Sequence, residues 1–325
     1  MKFLIAVTTA VILVHLALCN SGITSDEFIR YINEKAVTWT ARRNFENFTT
    51  AELKSLAGVV RIYAENSKRL PMVFHEIKDT EIPDSFDARE AWPECESIST
   101  IRYQGKCGSC WAFAAVEVMT DRLCIQTSGK TKFEFSPEEL VSCCTACGEG
   151  CRGGALNEPF IYWVEQGIPS GGDEDSNYGC RPYTAGSTGL TPECSQECVE
   201  GYNKTWAQDI RHGIKAYEVN TTVEQMQYEI MTNGPIESYM LVYQDFYNLG
   251  SGFENGIYQY TSGYPVGGHA VKLIGWGEEG GVPYWLAANT FGTDWGENGF
   301  FRILRGSNSC DIEKTVTAGT PNVDE

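Results

Sequence analysis

The sequence lacks several features that would place it in a functional class at once. It has no block of lysine or arginine, no internal repeat and no low-complexity tract. Its 25 basic and 43 acidic residues give a formal net charge of −18, which argues against a nucleic-acid partner. After one apolar run at the N-terminus, no second run is long enough to span a membrane. The 42% hydrophobic and 12% aromatic content is instead that of a globular protein.

The N-terminal run indicates the secretory route. Lys2 is followed by FLIAVTTAVILVHLAL and then by Cys19, Asn20 and Ser21. A charged start, a short apolar stretch and small or polar residues near a cut are typical of a signal peptide, predicted here over residues 1–19. The alternative is a membrane anchor, for which the run is short. We therefore expect a protein of the lysosome or the extracellular space, without an anchor.

The cysteines have to be interpreted for an oxidising compartment. The chain has 13, and after loss of Cys19 most of the remaining twelve lie between residues 95 and 198. In a secreted protein such clustering favours disulfides over metal ligands. A zinc site remains an alternative for one group, although adjacent cysteines suit it poorly. That group is Cys143, Cys144, Cys147 and Cys151.

Two regions of different composition follow the predicted signal peptide. Residues 20–81 are rich in charge and predict two short amphipathic helices, one capped by Thr24 with Glu27, the other running from Thr49 to Val60. Two such helices have no core of their own, so we expect this segment to pack on the rest of the chain. Residues 82–325 are richer in tryptophan, cysteine and glycine.

The larger region changes from helices to strands. Helices are predicted from Trp111 to near Gly129, after the cap Ser136, up to the stop at Gly167 and after the cap Thr222. Strands follow in HAVKLIGWG and PYWLAAN, separated by a turn of glutamate and glycine. This order predicts an α+β protein with two unlike halves, a helical half over roughly 82–200 and a β-rich half over roughly 201–325.

Cys110, in QGKCGSCWAF, is the candidate nucleophile. It lies just before the first large helix, where unpaired backbone N–H groups and the helix dipole favour a thiolate. Cys107 lies outside that position and is the better disulfide candidate. The alternative, a redox pair of Cys107 and Cys110, would need a thioredoxin-like βαβ surround, which the sequence does not show.

The candidate base follows by elimination among four histidines. His15 falls in the signal peptide, His75 in the N-terminal segment and His212 in a loop, which leaves His269 in GGHAVKLIGWG. Residues paired in an antiparallel hairpin have a constant sum, and 269 plus 289 centres on the predicted turn at residue 279. Asn289 is therefore expected across from His269, where its carbonyl could fix the imidazole tautomer.

Several long motifs now identify a resemblance. QGKCGSCWAF, CCTACGEGCRGG, YGCRPY, GGHAVKLIGWG and TDWGENGFFRILRG resemble the cathepsin B-like cysteine proteases of the papain family, and TWTARRNF resembles their propeptide. The resemblance covers nearly the whole chain. It implies a two-lobed papain-like fold with a cleft between the lobes, and a propeptide over residues 20–81.

The resemblance also implies roles for individual residues. It implies a cysteine endopeptidase with Cys110 as nucleophile, His269 as general base and acid, Asn289 as the residue that orients it, and Gln104 in the oxyanion hole. Substrate would contact Gly153, Gly154, Ala270, Phe291 and Thr315. Neither a cofactor nor a metal is implied.

A disulfide pattern is implied by the same resemblance. It leaves Cys310 as a free thiol beside the catalytic Cys110. The implied pairs are Cys95 with Cys124, Cys107 with Cys151, Cys143 with Cys194, Cys144 with Cys147, and Cys180 with Cys198.

The implied partners are protein or peptide substrates, the chain's own propeptide as inhibitor and cystatin-type inhibitors, acting on a monomer. Asn47, Asn203 and Asn220 each begin an N-glycosylation sequon. A protease-like scaffold that binds peptides or inhibitors with weakened catalysis is the alternative function.

Four departures from the family affect these expectations. The loop between Cys180 and Cys198 is much shorter than the family's occluding loop and lacks its paired histidines, which predicts weak or absent exopeptidase activity. Phe291 stands where the family has tryptophan. Thr315 replaces an acidic residue, which predicts an apolar or aromatic P2 preference. Tyr103 stands where the family usually has aspartate, and the sequence alone gives no account of it.

Overall fold

The computed structural model describes residues 22–60, 69–77, 82–250 and 256–325. The predicted signal peptide and the predicted end of the N-terminal segment at residue 81 lie outside the described residues. Within those four ranges, no helix combines the length and the apolar character needed to cross a membrane.

The N-terminal segment forms two helices, with boundaries that differ from those predicted. Helix α1 spans Asp26–Lys35 and is capped by Ser25, not Thr24; the Ser25 hydroxyl accepts the N–H of Phe28 at 3.2 Å. Helix α2 spans only Thr50–Ser55, although its predicted capping box between Thr49 and Glu52 forms. The predicted continuation to Val60 is wrong, because the backbone after α2 bonds to distant parts of the chain.

The helical part of the molecule is built on three helices. After the short helix α3 (Ala88–Ala91) come α4 (Cys110–Gln126), α5 (Pro137–Cys143) and α6 (Glu158–Glu165). Helix α4 is buried along nearly its whole length and ends where Ser128 and Gly129 take left-handed backbone conformations. We call this part, with the loops up to residue 200, the helical lobe.

The capping box predicted at the start of α5 forms only in part. The Ser136 hydroxyl accepts the N–H of Glu139 at 3.2 Å, and Pro137 occupies the first turn. The Glu139 carboxylate does not return to the cap, because it pairs with Arg181 at 2.7 Å.

The eight strands of the described residues form one sheet, which we call the β-rich lobe. The strands are β1 (Met72–Val73), β2 (Phe86–Asp87), β3 (Gly213–Val219), β4 (Ile236–Tyr243), β5 (Pro265–Glu279), β6 (Val282–Ala288), β7 (Phe300–Leu304) and β8 (Val316–Pro321). Their order is β1-β3-β8-β4-β5-β6-β7, with β2 paired to β5. Helices α7 (Trp206–Asp209) and α8 (Val223–Asn233) accompany the sheet. The α+β arrangement of two unlike halves is confirmed.

Each lobe has its own hydrophobic core. The helical core surrounds α4 and includes Trp111, Phe113 and Trp163. The core of the β-rich lobe is aromatic, and it also takes in Phe28 and Leu53 of the N-terminal segment. Strand β1 of that segment extends the sheet by pairing in parallel with β3. The segment therefore packs on the β-rich lobe, as expected for helices without a core of their own.

Five disulfides occur among the described residues, and all lie in the helical lobe. All four cysteines of the alternative zinc group are in these disulfides, and Cys110 and Cys310 are the free thiols of the described chain. The bonded pairs are the ones that the resemblance implies: Cys95 with Cys124, Cys107 with Cys151, Cys143 with Cys194, Cys144 with Cys147, and Cys180 with Cys198.

Candidate active site

Cys110 is the first residue of α4 and lies where that helix meets the β-rich lobe. The residue is fully buried, and its neighbour Cys107 is bonded to Cys151, so the two cysteines of CGSC do not form a redox pair. The backbone N–H groups of Ala270 on β5 and of Gly58 in the N-terminal segment both point at the sulfur. The thiol therefore sits between the two lobes and beneath the N-terminal segment.

His269 lies one residue before Ala270 on β5, and the structure places it beside Asn289. The two side chains are 2.8 Å apart, from imidazole Nε2 to amide Oδ1. An amide oxygen can only accept, so Nε2 carries the hydrogen and Nδ1 is the free basic nitrogen. Nδ1 is buried and has no hydrogen-bond partner among the described residues.

The hairpin that carries these two residues has a different register from the one predicted. Its turn lies at Gly280 and Gly281, so Glu279 pairs with Val282, and an irregularity between Leu273 and Gly275 shifts the pairing again. His269 and Asn289 are consequently not direct partners. Their side chains still meet, because residues on one face of a sheet also reach the diagonal neighbour two positions away.

Gln104 is buried, and it is linked to the residue after Asn289 by a hydrogen bond with Thr290. Its Nε2 donates to the Cys107 carbonyl at 2.8 Å and to the Leu56 carbonyl of the N-terminal segment at 3.2 Å. The Leu56 carbonyl also raises the pKa of His269. One backbone carbonyl of the segment thus faces both Gln104 and His269, while the N–H two residues later faces Cys110.

Burial is the main influence on the pKa of Cys110 and of His269 while the N-terminal segment covers them. It raises the pKa of Cys110 to about 12 despite N–H groups that act in the opposite direction. It lowers the pKa of His269 to about 4, although Asn289 and Leu56 favour the charged form. The thiolate expected from the helix dipole is therefore not favoured while the N-terminal segment covers the site. In the proenzyme, burial therefore favours the neutral forms of both Cys110 and His269.

Two of the predicted substrate contacts, Gly153 and Gly154, lie where the N-terminal segment crosses the helical lobe. Gly154 exchanges two backbone hydrogen bonds with the segment, from its N–H to Gly58 and from Val60 to its carbonyl, both at 2.9 Å. Its neighbour Gly153 has φ +115°, and a Cβ on Gly154 would come within 2.6 Å of the Trp111 ring, so both positions favour glycine. Val59, between Gly58 and Val60, bonds to the other side of the cleft, where its N–H donates to the Gly268 carbonyl at 2.9 Å. Gly268 directly precedes His269.

Two further predicted contacts, Phe291 and Thr315, lie apart from each other. The Phe291 ring packs against the His269 imidazole, with centroids 4.9 Å apart. Thr315 is half-buried before β8, and its carbonyl accepts the N–H of Tyr239 at 3.0 Å.

Two residues of the site escaped the sequence analysis. Thr290 holds two candidates at once: its hydroxyl donates to Gln104 Oε1 at 2.6 Å and its N–H to Asn289 Oδ1 at 2.8 Å. Its position next to Asn289 could have suggested this. Glu237 is buried on β4 and raises the pKa of Cys110. A lone acid within the apolar stretch IESYMLVY was the available signal.

Comparisons with known proteins show the family to which the chain belongs. A family model described as papain family cysteine protease matches residues 82–320, and one described as peptidase family C1 propeptide matches residues 24–61. The chain belongs to the papain family of cysteine proteases. A cathepsin B-like cysteine proteinase of Schistosoma japonicum is 43% identical over 312 residues, which cover 91% of this chain and 90% of that protein.

A second curated relative and a solved structure support the same assignment. Cathepsin B-like cysteine proteinase 6 of Caenorhabditis elegans is 43% identical over 322 residues, covering 92% of this chain and 83% of that protein. The structure of procathepsin B S9 from Trypanosoma congolense has a TM-score of 0.82 at 35% identity and covers 93% of this chain and all of that one. The papain-like fold with its propeptide, and the assignment as a cysteine peptidase, are confirmed.

In this papain-family proenzyme the propeptide closes the cleft with its own backbone. Val59 forms a parallel bridge with Gly154 and an antiparallel bridge with Gly268. Lys106, two residues after Gln104, also pairs with Glu52 of α2 at 2.8 Å. The propeptide thus inhibits by excluding water and substrate from Cys110.

The loop between Cys180 and Cys198 and the three sequons complete the description. The loop from 180 to 198 is anchored to the helical lobe, where the Thr191 hydroxyl accepts the N–H of Cys151 at 2.9 Å. Asn47 and Asn203 are exposed. Asn220 is half-buried, and its amide meets the Met72 sulfur of the propeptide at 3.9 Å.

Proposed function

We propose that this peptidase hydrolyses internal peptide bonds with Cys110 as nucleophile and His269 as base and acid, oriented by Asn289. The observation that carries the proposal is that one propeptide stretch, residues 56–58, contacts Gln104, His269 and Cys110. Its carbonyl faces Gln104 and His269, and its N–H faces the Cys110 sulfur. A substrate peptide bond bound there would meet the same groups.

Loss of the propeptide would allow Cys110 and His269 to take their charged, reactive forms. Water and substrate would replace the packed propeptide, so the burial that raises the pKa of Cys110 and lowers that of His269 would diminish. The helix dipole and the N–H of Ala270, which stays with the peptidase, would then favour a thiolate beside an imidazolium. Asn289 is neutral and adds no competing charge.

The reaction would follow in two steps. The Cys110 thiolate attacks the carbonyl carbon, and the oxyanion accepts hydrogen bonds from Gln104 Nε2 and the Cys110 N–H. The His269 imidazolium gives its proton to the leaving amine, which departs as the thioester forms. His269 then takes a proton from water while the resulting hydroxide attacks the thioester, which releases the carboxylic acid and restores the Cys110 thiolate and the His269 imidazolium.

Labelling of the mature form with an electrophilic peptide at acidic pH tests this proposal. Wild-type protein and Cys310→Ser should label once, whereas Cys110→Ser should not label, and His269→Ala should label far more slowly. Gln104→Ala should label normally but lose roughly 100-fold or more in kcat, as expected for one oxyanion donor. Labelling that persists in Cys110→Ser would refute the proposal.

The short loop supports endopeptidase over dipeptide-releasing activity. A free C-terminal carboxylate requires a cation or a paired donor, and residues 181–197 offer a single basic side chain, Arg181. Arg181 is 6% exposed and pairs with Glu139, so it is not directed at a substrate. A peptide with a free C-terminus should be cut no faster than its amidated counterpart at the penultimate bond, and dominant dipeptide release would overturn this part.

The P2 preference is proposed to be apolar or aromatic. Thr315 carries no charge for a basic side chain, and the propeptide places Val59, 8% exposed, in the hydrophobic cluster that contains Tyr239 and Ala270. Faster cleavage after Arg-Arg than after Phe-Arg would contradict it.

The cellular setting is proposed from the sequence. We propose a signal peptide over residues 1–19, glycosylation at exposed Asn47 and Asn203, and a monomer of the lysosome or the extracellular space inhibited by cystatin-type proteins. Asn220 would be open to glycosylation only before Met72 docks on it. Mass spectrometry of the secreted proenzyme tests the cut and the glycans.

A further inference from the structure

Residues 69–77 of the propeptide lie on a part of the peptidase that the proposed function does not use. Their strand β1 lies at the edge of the sheet beside β3, and strands β8 and β4 separate β3 from β5, which carries His269. The cleft itself is crossed by other propeptide residues, 56–60. The contacts of residues 69–77 therefore need an explanation other than blockage of the catalytic pair.

Backbone pairing holds this segment in an extended conformation. The Pro71 and Val73 carbonyls accept the N–H groups of Glu218 and Asn220 at 3.0 Å and 3.1 Å, and β1 runs parallel to β3. Val73 packs against the core of the β-rich lobe, whereas Phe74 is 67% exposed. Addition of an extended peptide to a sheet edge is a common mode of peptide recognition, so β3 has the properties of a docking edge.

Helix α8 contacts the residue two positions after Val73. The Gln225 side chain binds both backbone groups of His75: its Oε1 accepts the N–H at 2.6 Å, and its Nε2 donates to the carbonyl at 2.9 Å. The His75 ring centroid lies 5.0 Å from that of Tyr228, and its Nε2 lies 2.6 Å from Glu229 Oε2. The Glu229 side chain is fully buried and that of His75 is 14% exposed, so the two do not form a surface pair.

The chemistry of this contact favours histidine. A carboxylate can only accept, so the facing Nε2 carries a hydrogen in the neutral imidazole as well as in the charged one. Glu229 Oε1 is bound by Arg122 at 2.8 Å and Tyr217 at 2.7 Å, which leaves Oε2 to His75 and to Asn233 at 3.0 Å. The imidazole thus supplies a donor that an apolar side chain could not supply.

Departure of the segment would leave two unfavourable features on the peptidase. Strand β3 would lose its partner on one side and become an edge with unpaired backbone groups. Buried Glu229 Oε2 would lose its shortest hydrogen bond, the one with His75. Both are avoided if the segment stays bound.

We propose that β3 and α8 form a second peptide-binding site of the mature peptidase, outside the cleft, for an extended segment in which histidine follows an apolar residue by two positions. Its occupant is residues 69–77 of the chain itself, which are kept after the rest of the propeptide leaves. This site goes beyond the proposed function, because it does not depend on which residues catalyse hydrolysis.

The first test follows the segment through maturation of the full-length proenzyme. Wild type, His75→Ala, Gln225→Ala and Glu76→Ala are processed identically, and the mature enzymes are purified by size exclusion and analysed by native mass spectrometry. Wild type and Glu76→Ala, which changes an exposed neighbour, should retain one fragment containing residues 69–77 per enzyme. His75→Ala and Gln225→Ala should retain about tenfold less, or lower still.

The second test adds the segment back as a fluorescent peptide with the sequence of residues 69–77. It should bind saturably, one per enzyme, to the mature form of His75→Ala, whose own segment has left. The same peptide with His75→Ala should bind about tenfold more weakly or worse, and this comparison on one enzyme holds even if Gln225→Ala fails to fold. At saturation the peptide should change kcat/KM for a short substrate by less than about twofold, because the site lies outside the cleft.

Several results would overturn this proposal. Absence of the fragment from mature wild-type enzyme is one, and equal binding of the two peptides is another. Competition between the peptide and the short substrate would place the peptide in the cleft, and a symmetric dimer without the fragment would show that β3 pairs with a second copy. The mass and binding measurements do not use catalysis, so a failure of the proposed function would leave them unchanged.

Discussion

The helical lobe and the β-rich lobe are stabilised by different means. All five disulfides of the described chain lie in the helical lobe, where residues 167–205 contain neither a helix nor an extended strand. The β-rich lobe holds no disulfide among its described residues and packs an aromatic cluster around Phe246, whose ring lies near Tyr258 at 5.1 Å, Trp295 at 4.9 Å and Phe301 at 5.2 Å. Irregular backbone gains little from hydrogen-bond ladders, so covalent links take their place.

Buried ion pairs connect the two lobes at their junction. Consecutive residues of α4 provide both signs: Asp121 pairs with Lys272 of β5 at 2.7 Å, and Arg122 pairs with Glu229 of α8 at 2.8 Å. All four side chains are buried. Such pairs require their full set of hydrogen bonds, which makes the relative position of the lobes specific.

Removal of one disulfide should give the largest effect that tests this comparison. Cys107→Ser with Cys151→Ser opens a link across 44 residues, and the loss of unfolded-state constraint predicts a cost of about 4 kcal/mol. The matched control, Cys144→Ser with Cys147→Ser, opens a link across three residues and should cost less than about 2 kcal/mol. Chemical denaturation of the proenzyme measures both, and equal losses would contradict the entropic explanation.

The next largest loss of stability should come from a change in the ion pairs between the lobes. Glu229→Gln leaves buried Arg122 without its counter-charge and should cost about 3 kcal/mol at pH 7. Arg122 and hydrogen bonds from His75 and Tyr217 lower the pKa of Glu229 to about 2 from its usual 4.5. A lowered pKa stabilises the fold above pH 4.5, and that stability is lost as the pH falls toward 2.

The difference between Glu229→Gln and wild type should therefore shrink on acidification below pH 4.5. Unfolding by urea at pH 7, 4 and 3 follows this trend. A difference that does not change with pH would show that the carboxylate charge is not what the network uses.

Some of this organisation could be predicted from residue patterns, and some could not. His269 and Asn289 meet as expected, although as diagonal and not as direct partners. The periodic strands and the buried helix after Cys110 follow from local sequence. The hairpin register does not, because an irregularity near Gly275 shifts it without a clear signal. The end of α2 at Ser55 also depends on partners in the two lobes that lie far away in the sequence.

The disulfide pairs show a similar limit. Spacing alone left a zinc site and a redox pair open, and only the resemblance implied a unique pairing. The prediction of a thiolate at Cys110 does not hold for the proenzyme, for a related reason. The helix dipole is a local property, whereas burial under the propeptide is tertiary, and burial is the larger influence on the pKa.

The smallest effect should come from a buried carboxylate that has no partner. Both Glu237 carboxylate oxygens lack a hydrogen-bond partner among the described residues, and burial raises the pKa of Glu237 well above 4.5. A raised pKa means that the fold is most stable below pH 4.5 and loses stability as the pH rises. Glu237→Gln removes that loss, so it should stabilise the proenzyme by roughly 1 to 2 kcal/mol at pH 7 and by little at pH 4. Unfolding measured at the two pH values should thus give the opposite sign to Glu229→Gln, and destabilisation at pH 7 would mean that Glu237 is ionised and paired within the fold.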